Sequence, residues 1–139
     1  MDLFKIAREC RENAHAPYSK VKVGAALLTS NQKVFKGVNI ENVRFGNLIC
    51  AERNAIYNAI LNGEKEFKEL VVVANYKGEL KPCRLCRSAI SEFCPSINIK
   101  TLNLSTNQEL TLSLKDLYNN TLSFELRSRL RMLIRKILQ

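Results

Sequence analysis

The 139-residue sequence predicts an α/β fold: a five-stranded mixed sheet with an antiparallel last strand, helices on both faces, and a C-terminal amphipathic helix. Three observations predict it. Helical and strand periodicities alternate along the chain. Residues 70–75, "LVVVAN", are apolar almost without a break, as a central strand covered on both faces should be. The last two strand-like runs are separated by only "STNQ", residues 105–108, too short for a parallel crossover, so the final strand must run back along its predecessor.

The elements follow in order. Leu3, Ile6, Ala7 and Cys10 recur at helical spacing, which predicts a helix over 2–14, ended before Pro17. "VKVGAALLT", residues 21–29, reads as a buried strand. After the turn at 30–32, "KVFKGVNI", 33–40, returns as an alternating strand, completing a hairpin. A second helix is expected over 49–62, stopped by Asn62-Gly63. Pro82 opens a third over 83–94, which stops before Pro95. Residues 97–104 and 109–114 supply the last two strands. The body is expected to span 1–124, with 125–139 as an extension of the same domain. In that extension Leu126, Leu130, Leu133, Ile134, Ile137 and Leu138 form an apolar stripe with most arginines off it. It could pack on the body, pair with another subunit, or touch an anionic membrane or RNA. Packing on protein is the favoured expectation.

Composition narrows the class. No apolar run approaches the ~20 residues of a membrane span, and the N-terminus lacks a signal-peptide core, so a cytoplasmic protein is expected. The net charge is +9, but 125–139 carry five cations against Glu125, leaving +5 on the body. That distribution fits a solvated basic surface better than a nucleic-acid groove, so neither nucleic acid nor membrane is expected as an obligatory partner. Five cysteines without a secretion signal argue for metal or catalysis rather than disulfides. Cys10 and Cys94 fall at apolar helix positions and are expected in the core.

The remaining three cysteines carry the chemistry. Cys83 and Cys86 lie in the first turn of the helix opened by Pro82. Cys50 and Glu52, two residues apart, do not share a helix flank and can share a site only above a helix N-terminus. Two helix N-termini would then face one site, each favouring thiolates. Three thiolates fill three corners of a tetrahedral zinc and leave the fourth for water, the catalytic arrangement. A four-cysteine structural zinc would need Cys10 or Cys94, neither in a motif of suitable spacing. Glu52 is the expected proton carrier. A zinc with three thiolates is anionic overall, so a cation on a thiolate would help restore Lewis acidity. Arg53 is favoured for this role; Arg84 and Arg87 flank the second pair.

On these residues the chain resembles the cytidine deaminases, over residues 14 to about 118. "APYSKVKVGAALL" is similar to that family's opening signature, "NIEN" and "CAERNAI" to its second block, and "PC..CR" to its third. The resemblance implies the three-layer α/β/α deaminase fold, one zinc per subunit, and a homotetramer with sites at subunit junctions. It implies that Cys50, Cys83 and Cys86 bind zinc and that Glu52 shuttles protons. The backbone of Ala51 would contact the pyrimidine carbonyl, and Asn39 and Glu41 would hold the ribose hydroxyls. The implied reaction is hydrolysis at C4 of cytosine in cytidine or 2′-deoxycytidine, with ammonia leaving.

The chain departs from the family pattern at four of these positions. Val21 replaces an aromatic residue, Arg84 and Leu85 replace small residues between the last two cysteines, and Ser88 replaces a glutamine. An aromatic residue that reaches a neighbouring site in small members has no clear counterpart, Leu122 and Phe124 both being candidates. Two other readings are a deaminase acting on RNA or DNA and a zinc-bearing, catalytically impaired nucleoside-binding relative. Against the first, nucleic-acid deaminases usually carry His-x-Glu where this chain has Cys-x-Glu.

Overall fold

The computed structural model describes residues 1–117 and positions 133, 134, 136 and 137 of the tail. The expected tail helix otherwise lies outside the described residues, as do Leu122 and Phe124. Its four described positions have helical backbone.

Alternating and continuous apolar runs form a five-stranded sheet in the order β2-β1-β5-β6-β7. Here β1 is Val23–Thr29, β2 Val34–Val38, β5 Phe67–Ala74, β6 Asn98–Asn103 and β7 Gln108–Leu112. Only β5 and β6 are parallel; β1 pairs antiparallel with both β2 and β5, and β7 returns antiparallel along β6. The sheet is therefore mixed with an antiparallel last strand, as expected. Between the parallel strands the chain crosses over through α3, Arg84–Phe93.

Helices cover both faces, in three layers. α1, Leu3–Cys10, is capped by the Asp2 carboxylate, which accepts from the Lys5 N–H at 3.1 Å. It packs Leu3 and Ala7 against Ala26, Val71 and Val73 on one face. On the other, α2 (Ala51–Leu61) and α3 bury Ala51, Ala55, Ile56, Ala59 and Ile90 against Ala25, Leu27, Leu70 and Val72. The alternation of β1 and β5 residues between these two sets shows why both strands are apolar throughout. Cys10 and Cys94 are buried in the core, as expected.

Two glycines set how closely the helices approach. A Cβ on Gly24 would lie 2.0 Å from the Ala7 carbonyl oxygen, and one on Gly37 would lie 2.2 Å from that of Ala51. The N-terminus of α2 thus rests directly on β2, with the Asn54 amide donating to the Val38 carbonyl at 3.0 Å beside it. The first predicted helix is shorter than expected, ending at Cys10 and followed by a 3-10 turn, Arg11–Asn13. A second, two-stranded sheet was not foreseen: β3, Ile40–Asn42, pairs with β4, Gly46–Ile49.

Candidate active site

The two helix starts meet as the spacing required. Cys50 is the N-cap residue of α2 and Cys83 that of α3, both with extended backbone and neither using its side chain as a cap. Their sulfurs are left to point past the helix ends. The Cys50 and Cys83 Sγ atoms are 3.5 Å apart, and Cys83 and Cys86 are 3.4 Å apart. All three sulfurs lie within 4.8 Å of one another. Ligands 2.3 Å from a tetrahedral zinc would be separated by about 3.8 Å, so the cluster fits that ion with little movement.

The electrostatics point the same way. Hydrogen bonds from Cys50 and then Cys86 hold the Cys83 thiol below its usual range, while the contact with Cys83 pushes Cys50 up and the contacts with Cys50 and then Cys83 push Cys86 up. Three thiolates this close repel one another, and a divalent ion among them removes that repulsion. The Arg53 guanidinium Nη2 is 3.8 Å from the Cys50 Sγ, on the side expected for the compensating cation. Arg87 instead donates to the Leu117 carbonyl at 2.6 Å. Arg84 and Leu85 are exposed, and neither lines the cleft.

Glu52, in the first turn of α2, is only 6% exposed. Burial pushes its carboxyl up to about 7, and the nearby Cys83 adds to this. A buried carboxyl poised near neutrality beside a metal-sized thiol cluster is suited to taking and returning a proton.

These groups open into a cleft of about 290 Å³, at the small end of ligand sites. Cys50, Ala51, Glu52 and Cys83 form its base, and Val21, Asn39 and Glu41 its wall. The structure thus brings every expected site residue but Cys86 and Arg53 to the cleft surface, and those two lie at the cluster behind it. Asn39 is fixed by two bonds to the β1 approach: its amide oxygen accepts from Val23 N–H at 2.7 Å and its nitrogen donates to Val21 O at 2.8 Å. Glu41 accepts from the Tyr18 and Ser19 N–H groups at 2.9 and 3.1 Å and from the Ser19 hydroxyl. The Ser19 hydroxyl chiefly, then the backbone donors, hold its carboxyl below the usual range. Both side chains line the cleft and retain polar capacity beyond these bonds.

Two further residues shape the site without having been foreseen. Asn103 is buried at the end of β6. It accepts from Tyr76 N–H and donates to the carbonyls of Tyr76 and Gly78, fixing the loop that brings Tyr76, Leu80 and Lys81 to the cleft. Asn47, on β4, donates from its amide to the Cys50 Sγ at 3.0 Å. An asparagine in a strand has no motif to mark it; only the burial of position 103, in an apolar run, was a signal.

Known proteins are similar to this chain. Residues 1–101 match the family model of the cytidine and deoxycytidylate deaminase zinc-binding region. The chain is 42% identical over 115 residues to a cytidine deaminase of Sporosarcina psychrophila, covering 80% of this chain and 85% of that one. A cytidine deaminase of Halalkalibacterium halodurans is 41% identical over 113 residues, with 80% and 86% covered. Among solved structures, the cytidine deaminase of Burkholderia pseudomallei superposes with a TM-score of 0.77 at 38% identity, covering 85% of this chain and 94% of that one. The fold and the thiol cluster define a zinc-binding α/β/α enzyme class. Within it, this chain belongs to the cytidine and deoxycytidylate deaminase family.

Proposed function

We propose that the protein catalyses zinc-dependent hydrolytic deamination of cytidine and 2′-deoxycytidine to uridine and 2′-deoxyuridine, releasing ammonia in pyrimidine salvage. The observation that carries this reading is the buried Glu52 beside three converging thiols at the base of a nucleoside-sized cleft. Cys50, Cys83 and Cys86 would hold the zinc, which supplies Lewis acidity and makes water nucleophilic near neutral pH.

The chain's own groups do the rest. Ala51 lies in the first turn of α2, where backbone N–H groups lack intrahelical acceptors, so its N–H is available to the pyrimidine carbonyl. Asn39 and Glu41 would receive the ribose hydroxyls, the prior bonds of each side chain fixing its direction. The ionised Glu41 favours a neutral sugar over a phosphate at that place. Glu52 takes a proton from the attacking water and delivers it to N3 of the ring. C4 gains an oxygen, the C4–N4 bond breaks, and the amino nitrogen, with its own two protons and the second proton of the water, departs as ammonia. Water is the only co-reactant.

The same reading includes a cytoplasmic enzyme and a homotetramer. Support for assembly comes from Val43, Phe45 and Leu48 on the β3–β4 hairpin and Leu85 on α3, large apolar side chains left exposed on the single chain. Among the described residues no helix is long and apolar enough to cross a membrane.

The test is the loss of cytosine absorbance with free cytidine, with and without a chelator. Chelator-sensitive turnover is expected. No turnover of cytidine or deoxycytidine by zinc-loaded protein would sink the proposal.

A further inference from the structure

The small β3–β4 hairpin links the two ends of the cleft. In its ladder Glu41 stands opposite Asn47, so one strand pair carries the residue proposed for the sugar and a residue directed at a thiol. The hairpin is held in shape locally. The Asn42 side-chain oxygen accepts from Arg44 and Phe45 N–H at 2.9 and 3.2 Å, and Gly46 takes the turn's positive φ of 66°. Asn47 follows immediately, and its amide reaches the Cys50 Sγ at 3.0 Å.

The charge arithmetic gives that contact a consequence. A zinc with three thiolates carries a net negative charge, which lowers its power to polarise a ligand. The Cys50 sulfur lies 3.5 Å from that of Cys83, and its nitrogen donors among the described residues are the Asn47 amide at 3.0 Å and the Arg53 guanidinium at 3.8 Å. Of the two, Asn47 is closer by 0.8 Å, the guanidinium being at the limit of a hydrogen bond to sulfur.

We propose that Asn47 is a positioning residue for the metal centre: its amide N–H orients the Cys50 thiolate and draws off part of its charge. Arg53 and Asn47 then share the compensation, and the hairpin ties the setting of Cys50 to the strand that presents Glu41. This rests on the zinc-deaminase reading above. It concerns how this chain holds its metal rather than which residues are ligands.

Asn47 is exposed, so substitutions there leave the core intact. Asn47→Leu removes the donor, and Asn47→Asp keeps the size but turns a carboxylate toward the sulfur. Zinc affinity is measured by competition with a chromophoric chelator, and thiolate character by the sulfur-to-metal charge-transfer band of the cobalt(II)-substituted protein. Folding is checked by circular dichroism. The expected result is zinc binding weakened about tenfold in Asn47→Leu and further in Asn47→Asp. The charge-transfer band should move to lower energy in Asn47→Leu, because a thiolate without its donor is more electron-rich. Folded variants that bind zinc within about twofold of the parent, with an unmoved band, would overturn the role. The parent protein separates this from the wider reading: if it binds no zinc at three thiolates, the deaminase reading itself fails.

Discussion

Glu52 shows how one side chain's surroundings determine its use. Its carboxyl sits at about 7 in the metal-free protein because burial disfavours the charge, against 4.5 for the ordinary group. A folded-state value above the unfolded one means the stabilising contribution is fully present below pH 4.5 and is lost as pH rises through 7. Metal-free Glu52→Gln should therefore be the more stable protein at pH 8, by on the order of 1–3 kcal/mol, with the difference vanishing by pH 4. Urea denaturation of both proteins across that range checks the sign. In the zinc-loaded enzyme the same substitution should lower kcat by about 100-fold to 10,000-fold while zinc content stays at one per chain. Equal loss of zinc and activity would instead make Glu52 a ligand.

Val21 is the other informative residue. It lines the cleft, at a position where the family resemblance implies an aromatic residue against the base. Val21→Phe should restore a stacking face worth about 1 kcal/mol, lowering KM for cytidine roughly fivefold with kcat little changed. A KM that rises would mean that the narrower side chain is fitted to this cleft.

At the scale of elements, the site depends on how α2 lies on β2. Gly37 permits that approach: a Cβ there would meet the Ala51 oxygen at 2.2 Å and the Ala55 nitrogen at 2.3 Å. Gly37→Ala must push α2 off the sheet, and with it Cys50 and Glu52. Destabilisation of about 1–3 kcal/mol is expected in thermal or denaturant unfolding, with weaker zinc retention. Unchanged stability would show that the layers yield more easily than their backbone contact implies.

The same element shows what was legible in the sequence. Cys50 and Glu52 are too close in sequence to share a helix flank, and that constraint alone placed them at a helix N-terminus, where Cys50 is the N-cap. The "STNQ" link likewise fixed the direction of β7. The β3–β4 hairpin was not legible, because strands of three and four residues carry too few alternations to reveal a period. Asn103 was hidden because it acts through contacts made only when distant segments meet, and Asn47 because its contact with Cys50 depends on the hairpin that was not legible. Arg84 and Leu85 looked intrusive in the Cys-x-x-Cys pair, yet the first turn of α3 directs both to the surface.

For the whole molecule, the three-layer body leaves large apolar side chains exposed on elements that also carry site residues. Leu48 and Leu85 are 55% and 61% exposed, on the hairpin and helix that also carry Asn47 and Cys86. The proposed assembly would cover them, so light scattering should give four times the 15.9 kDa chain mass. A mass of one chain at micromolar concentration would contradict it. Deleting 125–139 then tests the tail, since unchanged assembly and activity would exclude a part in either.

The account's central claim is that Cys50, Cys83, Cys86 and Glu52 make one zinc-dependent centre for deaminating a pyrimidine nucleoside. Zinc titration of the metal-free protein with cytidine present tests it most directly. Uridine formation should rise with added zinc and level off at one ion per chain. Protein that takes up one zinc and forms no uridine from cytidine or deoxyuridine from deoxycytidine, or that turns cytidine over equally well without the metal, would contradict it.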